Sequence, residues 1–292
     1  MRPILFEMFG VAVPAYAAFM VLGFLAALLV VLYVAPRGRD HAAVAGGLDR
    51  PQALDLYLVM VLSAVFGSKM GHVLFEAPGH VGRDGRPIDS VVELLKEDPW
   101  HWLDITDPGY VWYGGMLACL GVAVWYFRRR PHLDAWLFSD AFAPAIMVGA
   151  FVGRLGCFLA GCCYGVPTDG PFGVSFPRLP GPVHPTQLYD AGVAVALGGA
   201  LLWRFPRRRF DGENIGLLLM AYPALRALTE AFRGDPERGA LGPLSTSQWI
   251  SIPLFLVGLG ILVVRRRSGP ATRPAVSPAP ADPGAPNPEP VR

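Results

Sequence analysis

Charged residues are scarce in this sequence. Aspartate, glutamate, lysine and arginine make up 16% of its 292 residues, whereas hydrophobic residues make up 53%. Soluble domains carry about 25% charged residues, so the composition excludes an ordinary soluble fold. The lipid bilayer is therefore the expected surrounding of most of the chain.

Three other features are missing as well. The first long apolar run is too long for a signal-peptide core and no small-residue cleavage site follows it, which favours a membrane span. No internal repeat is visible, so nothing supports the inverted-repeat architecture of many transporters. The net charge is only +2, and the arginines cluster beside apolar runs, where they anchor topology or contact anionic lipid. We expect membrane lipids, and no nucleic acid, as partners.

What the sequence does have is a series of apolar runs. A membrane-spanning helix needs roughly 17 to 25 mainly apolar residues, and on this criterion we predict an all-α polytopic membrane protein. A single membrane domain covers residues 1–267, and residues 268–292 form a disordered tail rich in proline and alanine. The about seven predicted spans are 11–34, 54–75, 111–127, 135–151, 188–203, 215–228 and 249–264.

Arginines in the short loops predict the orientation, because lysine and arginine near span ends are retained in the cytoplasm. The N-terminus is expected outside and the C-terminus in the cytoplasm, so residues 153–190 and the loop after residue 232 share the outer face. Loop 77–109, by contrast, offsets its basic residues with acidic ones. The inner arginines are Arg37, Arg39, Arg50, Arg128, Arg129, Arg130, Arg204, Arg207, Arg208, Arg209, Arg265, Arg266 and Arg267.

The most unusual stretch is residues 153–176, followed by 183–190; it places glycine, proline, cysteine and a single arginine, Arg154, directly after the fourth apolar run. Irregular backbone at membrane depth is tolerated only where protein or a wet cavity satisfies its amides. This stretch is therefore predicted to line a site. We name its part after the helix, residues 161–185, the junction segment.

Two arginines, Arg154 and Arg233, stand out as candidate ligand-binding residues. An ionisable group inside a span costs about 2.5 to 3.5 kcal/mol on insertion scales, so each needs a reason. A guanidinium is a planar, permanently charged fork that matches phosphate oxygens. Two of them at one outer interface indicate a phospholipid head group, and the alternative for either one is snorkelling to the interface.

The sixth run carries Tyr222, Arg226 and Glu230 at intervals of four, with Arg233 three residues further on. This spacing predicts that all four share one helical face. Glu230 is then able to pair with Arg226 or with Arg233. Pairing with Arg226 leaves Arg233 available.

Other ionisable residues have a structural interpretation. Lys69 and His72 lie in the second span beside small residues that permit close helix packing, and Lys69 is a candidate partner for Asp140 or Glu76. His184 precedes a proline in the junction segment and is either a hydrogen-bonded structural residue or a proton carrier.

Cysteines are few, and three of the four lie close together as Cys157, Cys162 and Cys163, with Cys119 in another span. Plain packing, a disulfide that joins Cys157 to one of the other two, a reactive thiol and a metal site all stay open. A metal is least favoured, because zinc sites usually have a second ligand pair. We assign no metal and no cofactor.

An ordered set of motifs extends from the first span to residue 253. It comprises Tyr16, Gly114-Gly115, 140–144 (DAFAP), Gly153-Arg154 with Gly156 and Phe158, Gly161 with Gly165, Pro167-Thr168-Asp169, 184–190 (HPTQLYD), 230–233 (EAFR) and 248–253. As an ordered set on this topology, these motifs resemble the prolipoprotein diacylglyceryl transferase family of bacterial inner-membrane enzymes.

The resemblance implies transfer of the diacylglyceryl group of phosphatidylglycerol to the lipobox cysteine of a preprolipoprotein signal peptide, at a site that faces the periplasm. It assigns the lipid phosphate to Arg154 and Arg233. It places Tyr16, Gly114, Gly165 and Cys157 at the lipid and gives supporting roles to Glu230, His184, Gln187 and Tyr189.

The sequence also departs from the family pattern, which reads G-R-x-G-N-F-x-N-G-E-x-x-G. Cys157 and Ala160 occupy the two asparagine positions, Cys162 occupies the glutamate position, and Tyr113 stands where the family has a catalytic histidine. We predict that Tyr113, helped by Tyr16 or His184, orients or deprotonates the acceptor thiol. Two alternatives are a related enzyme with a different acceptor and a non-catalytic phospholipid-binding protein.

Overall fold

The computed structural model describes residues 4–8, 11–34, 50–76, 90, 91, 94, 96, 100, 110–177, 179–234, 240, 241 and 244–267. The predicted tail and most of loop 77–109 lie outside the described residues.

Long helices form most of the described chain, and each corresponds to one of the predicted apolar runs. The all-α polytopic class is therefore confirmed. In chain order the helices are α1 (Ala15–Val34), α2 (Arg50–Glu76), α3 (Trp112–Arg129), α4 (Ala135–Ala160), α5 (Thr186–Arg204), α6 (Glu213–Glu230) and α7 (Thr246–Arg267).

Among the described residues, five helices are long and apolar enough to cross a membrane, namely α1, α2, α4, α5 and α7. Helices α3 and α6 have 18 residues each, and α6 carries charged residues that belong to the candidate site below. The count of about seven spans therefore stays a prediction for α3 and α6, as does the orientation.

Three short antiparallel hairpins accompany the helices. Strand β1 (Ile4–Met8) pairs with β2 (Val11–Pro14), β3 (Val174–Ser175) with β4 (Pro182–Val183), and β5 (Ala240–Leu241) with β6 (Leu244–Ser245). The predicted start of the first span at residue 11 is wrong, because residues 11–14 pair as a strand before α1 begins. A short 3₁₀ turn, Phe205–Arg207, follows α5.

Helix α4 is the central element, since it packs against α1, α5 and α6. Its contact with α1 depends on glycines: a Cβ atom on Gly156 would lie 2.6 Å from the Cβ atom of Phe19, and Gly23 faces Gly149. Small residues let membrane helices approach closely. This contact explains why α4 continues through Gly153 and Gly156 to Ala160, nine residues beyond the predicted end.

The end of α4 has a clear local cause. Gly161 adopts φ of +74°, and its N–H group donates to the carbonyl oxygens of Cys157 and Phe158. A glycine in the left-handed region is a common helix terminator. Arg154 therefore lies inside the last two turns of a helix, whereas the sequence placed it in irregular backbone after the helix.

The opposite end of α4 is tied to α6. Asp140 accepts hydrogen bonds from the backbone N–H groups of Gly212 and Ile215 at 2.8 and 2.9 Å, and Arg208 Nε lies 3.7 Å from it. Asp140 thus neutralises the start of α6 and is not the counter-ion of Lys69. Lys69 is buried, with Nζ 5.6 Å from the ring centroid of Tyr110.

Helices α2 and α3 also meet through glycines. A Cβ atom on Gly67 would lie 2.6 Å from the carbonyl oxygen of Gly114, and one on Gly71 would lie 3.2 Å from its Cα atom. A Cβ atom on Gly121, on the outer side of α3, would meet nothing within 4 Å. Gly114 is therefore a packing residue of the α2–α3 contact.

Gly67, at the contact of α2 with α3, and Gly121, on the outer side of α3, allow a matched test of helix packing. Gly67→Ala should lower the thermal unfolding midpoint of the detergent-solubilised protein, because overpacking costs about 1 to 3 kcal/mol. Gly121→Ala should leave it unchanged or raise it, because alanine favours a helix over glycine by about 0.5 to 1 kcal/mol. Equal midpoints for the two variants would contradict the glycine-mediated contact.

Candidate functional site

One carboxylate holds the two predicted arginines together. Asp190 Oδ2 lies 3.2 Å from Arg154 Nη2 and 3.7 Å from Arg233 Nη1. The Asp190 and Arg233 side chains are only 5% and 4% exposed, and that of Arg154 is 22% exposed. Oδ2 accepts no hydrogen bond of good geometry, so its interaction with both cations is electrostatic. The structure thus brings Arg154 and Arg233 to one point from two separate elements.

The second oxygen of Asp190 extends this group to α6. Thr229 Oγ1 donates to Asp190 Oδ1 at 2.7 Å, and Arg226 Nη1 donates to Thr229 Oγ1 at 3.1 Å. Arg226 also pairs with Glu230 at 2.9 Å, which is one of the two pairings that the sequence allowed. We call Arg154, Arg226, Arg233, Asp190 and Glu230 the arginine cluster. Its three cations and two anions leave one net positive charge.

The members of the arginine cluster come from three helices and the turn after α6. Arg154 is in the last two turns of α4, Asp190 is in the second turn of α5, and Arg226 and Glu230 are at the end of α6. Arg233 follows in a turn, where its own N–H group donates to the Glu230 carbonyl oxygen at 3.1 Å. The predicted single helical face is therefore wrong for Arg233, because α6 ends at Glu230.

Backbone hydrogen bonds satisfy the junction segment, as its composition predicts. Gly165 N–H donates to the His184 carbonyl oxygen at 2.9 Å, and Val166 N–H donates to that of Phe232 at 3.0 Å. Gly165 and Arg233 form an isolated antiparallel bridge. A Cβ atom on Gly165 would lie 2.7 Å from that of His184, so only glycine fits here. The bridge fixes the backbone that carries Arg233.

His184 and Tyr189 are held together beside this bridge. His184 Nδ1 and the Tyr189 hydroxyl lie 3.0 Å apart, and both rings contact the Phe232 ring with centroid distances of 5.3 and 5.8 Å. These contacts give His184 a structural role next to Arg233. Its role as a proton carrier stays a prediction.

The first residues of α5 hold the two vicinal cysteines. Gln187 Nε2 donates to the Cys162 carbonyl oxygen at 2.6 Å, and Thr186 Oγ1 donates to that of Cys163 at 2.7 Å. Both side chains that donate are fully buried. The sulfur atoms of Cys157, Cys162 and Cys163 lie within 4.8 Å of one another and are not joined by disulfides.

The cysteines adjoin the arginine cluster. Cys163 lies two residues before Gly165, whose backbone bridges to Arg233, and Cys157 lies three residues after Arg154 in α4. Tyr16, at the start of α1, lies against the same turn of α4, since a Cβ atom on Gly156 would lie 3.5 Å from the Tyr16 Cα atom. Tyr16 and Cys157 therefore belong to the same site as the two arginines.

Tyr113 occupies a different position. It is the second residue of α3, directly before Gly114, and its residue surface is 38% exposed. Gly114 contacts α2, as described above. The predicted roles of Tyr113 and Gly114 therefore stay predictions.

An apolar groove lies between α6 and α7. Its volume is about 360 Å³, and it is lined by Pro223, Ala224, Ala227, Leu244, Gln248, Ser251, Ile252, Phe255 and Leu256. Pro223 and Ala227 belong to the same helical segment as Arg226. The groove therefore borders the same part of α6 that carries Arg226.

Asp190 and Thr229 have no assigned role in the sequence-based site, although Asp190 falls within the 184–190 motif. Charge balance is the signal that points to Asp190, because two arginines in the membrane need a nearby carboxylate. Thr229 has no comparable signal, since its hydroxyl is a partner only once α5 and α6 are packed together.

The comparisons with known proteins agree with one another. The family model described as prolipoprotein diacylglyceryl transferase matches residues 3–264. A phosphatidylglycerol–prolipoprotein diacylglyceryl transferase of Clostridium tetani is 30% identical, over 91% of this chain and 98% of that protein. Proteins of the same name from Bordetella avium and Cupriavidus metallidurans are 33% and 34% identical, over 81% and 79% of this chain and 86% and 82% of theirs.

Removal of the shared carboxylate tests the arginine cluster. Asp190→Asn leaves Arg154 and Arg233 without their common counter-ion, and loss of one partner from a buried pair costs about 3 to 5 kcal/mol. The thermal unfolding midpoint should fall clearly.

Asp55→Asn is the matched control, because Asp55 pairs with Arg130 at 3.4 Å, both side chains are well exposed, and an asparagine oxygen still accepts the 2.8 Å hydrogen bond from the Tyr126 hydroxyl. Exposed pairs contribute at most about 1 kcal/mol, so this midpoint should move little. A midpoint of Asp190→Asn equal to that of Asp55→Asn would show that the shared carboxylate does not hold the arginines.

Proposed function

The chain belongs to the prolipoprotein diacylglyceryl transferase family, and from this membership and the arginine cluster we propose its reaction. It transfers the diacylglyceryl group of phosphatidylglycerol to the thiol of a lipobox cysteine in a preprolipoprotein. Glycerol phosphate is released. This is the first step of bacterial lipoprotein maturation.

The observation that carries the proposal is that Arg154 and Arg233 lie beside the same carboxylate, that of Asp190. Attack on the glycerol carbon expels a phosphate monoester, so negative charge develops on the leaving group. Cationic donors fixed in a poorly hydrated site stabilise such charge without reorganisation. Arg154 and Arg233 lie beside one carboxylate, Asp190, so two guanidinium groups stand together where the phosphodiester of the substrate is proposed to bind.

The apolar groove supports a lipid substrate as well. Its lining is almost entirely hydrocarbon, and it adjoins the helix that carries Arg226. An acyl chain in this groove places its head group toward the outer end of α6, where the arginine cluster lies. We propose that one acyl chain of the donor lipid binds there.

The site faces the periplasm of a bacterial inner membrane in this proposal. Asp140 and Arg154 lie on one helix, 14 residues or about 21 Å apart at 1.5 Å per residue. The arginine-rich helix ends lie beside Asp140, at the end that the charge rule assigns to the cytoplasm. The arginine cluster lies at the other end.

The acceptor thiol must lose its proton to become a nucleophile. We propose that Tyr113, helped by Tyr16 or His184, orients or deprotonates the acceptor. Tyr16 supports this role because it lies against Gly156, in the turn of α4 that carries Arg154 and Cys157. Lipid consumption without an adduct on the lipobox peptide would favour the alternative in which another molecule is the acceptor.

Arg154→Lys tests the phosphate contact, because it keeps the charge and removes the planar fork. With labelled phosphatidylglycerol and a lipobox peptide, mass spectrometry should show kcat/KM lowered by about 100-fold or more. The exposed Arg130, 38% accessible, supplies the control Arg130→Lys, which should keep wild-type turnover. Wild-type turnover by Arg154→Lys would reject the phosphate role.

Tyr113→Phe tests the proton role, because it removes only the hydroxyl group. General acid or base catalysis contributes about 10²- to 10⁴-fold, so turnover should fall within that range and its pH profile should change. Tyr33, near the inner end of α1 and 56% exposed, gives the control Tyr33→Phe. An unchanged rate and pH profile for Tyr113→Phe would exclude Tyr113 as acid or base.

A further inference from the structure

The three clustered cysteines have the geometry of a metal site. Their sulfur atoms lie within 4.8 Å of one another. Zinc–sulfur bonds are about 2.3 Å long, so sulfurs around a tetrahedral zinc ion stand about 3.8 Å apart. Each pair needs to approach by no more than about 1 Å. Small side-chain rotations are enough for this adjustment.

The backbone between these cysteines is fixed before any ion binds. Cys162 N–H donates to the Cys157 carbonyl oxygen at 3.2 Å, and Gln187 and Thr186 hold the carbonyl groups of Cys162 and Cys163. Cys163 itself adopts φ of +60°, a conformation that costs about 1 to 3 kcal/mol and clusters at functional sites. Rigid support of this kind is what a metal site requires.

The exposure of the three residues suits an ion that enters from outside. Cys157 is buried, Cys163 is intermediate and Cys162 is exposed. Thiolates are soft ligands that select zinc or Cu(I) over magnesium and calcium. Three protein ligands that leave a fourth position open are typical of catalytic zinc sites, whereas structural sites have four.

We propose that Cys157, Cys162 and Cys163 bind one zinc ion whose open fourth position takes the acceptor thiol. This inference rests on the proposed function for the identity of the acceptor, whereas the metal site rests on the sulfur geometry alone. The spacing of the cysteines in the sequence made a metal site the least favoured alternative. The structure favours a metal site, because three sulfur atoms already lie close together and no second ligand pair is needed.

The zinc ion supplies the deprotonation that the reaction needs, so that of the two roles proposed above for Tyr113 this inference keeps the orienting one. A thiol that coordinates zinc is deprotonated outright, and its proton passes to solvent. The thiolate sulfur then forms a bond to the glycerol carbon while the bond from that carbon to the phosphate oxygen breaks. The electron pair leaves on the phosphate monoester beside Arg154 and Arg233. The product thioether is neutral, so it binds zinc weakly and departs.

The position of the cysteines fits this sequence of events. Cys163 lies two residues before Gly165, whose backbone bridges to Arg233, and Cys157 lies three residues after Arg154 in α4. A sulfur bound at the fourth position is therefore next to the residues proposed to hold the leaving group. Proximity of nucleophile and leaving group is a large part of the rate advantage in such reactions.

Direct metal binding tests the site without any substrate. The full-length protein in detergent, kept reduced with a phosphine, is titrated with Cd²⁺ alone while thiolate-to-metal absorption is recorded, and Zn²⁺ is added in competition. One ion per chain is expected. Since loss of an outer-shell partner alone costs 10- to 100-fold in affinity, each of Cys157→Ser, Cys162→Ser and Cys163→Ser should cost about 100-fold or more.

Cys119→Ser is the control, because Cys119 is also a free cysteine but lies between α2 and α3, 3.3 Å from the Met60 carbonyl oxygen. The affinity of the Cys119→Ser variant for Cd²⁺ should equal that of the wild-type protein. No bound ion, or equal binding by the three cluster variants, would overturn the metal site even if transfer activity is intact.

A lipobox peptide then tests the fourth position. Its addition to the Cd²⁺-loaded protein should raise the thiolate absorption by about one third, because three coordinated thiolates become four. A peptide with serine in place of cysteine should give no change. A bound ion with no response to the cysteine peptide would overturn the thiol-binding role. A response without diacylglyceryl transfer would instead reject the proposed function.

Discussion

The ion pairing of Asp190 with Arg154 and Arg233 is the interaction on which the rest of this molecule depends. Two guanidinium groups repel each other, and in a membrane neither is stable without an anion. The Asp190 carboxylate lies between them, while Arg226 is paired with Glu230.

The fold serves to bring the arginine cluster together from three elements. Arg154 reaches it because α4 continues past the predicted end, and α4 continues because Gly156 and Gly149 let α1 pack closely against it. Arg233 reaches it because α6 ends at Glu230 and the Gly165 bridge holds the following turn. The same junction segment carries the cysteines, so any distortion of it affects both halves of the site.

Much of this arrangement is predictable from the sequence. The apolar runs predict the seven helices of the described residues to within four residues at every end except the C-terminal end of α4, and the cost of charge in a membrane identifies Arg154 and Arg233. Two things are not predictable from local sequence. Helix ends depend on tertiary contact, as with Gly156 on Phe19, and the closeness of three sulfurs depends on the backbone turn at Gly161 and Cys163. Asp190 lies between these cases, because charge balance demands a carboxylate but does not say which one.

The proposed reaction requires Arg154 and Arg233 to hold the phosphate of phosphatidylglycerol together. An experimental structure of the full-length protein with phosphatidylglycerol bound is the most direct measurement. Phosphate oxygens are expected at hydrogen-bond distance, about 3 Å, from guanidinium nitrogens of both arginines. A phosphate bound away from both, or arginine side chains turned to opposite sides of the bilayer, would contradict it.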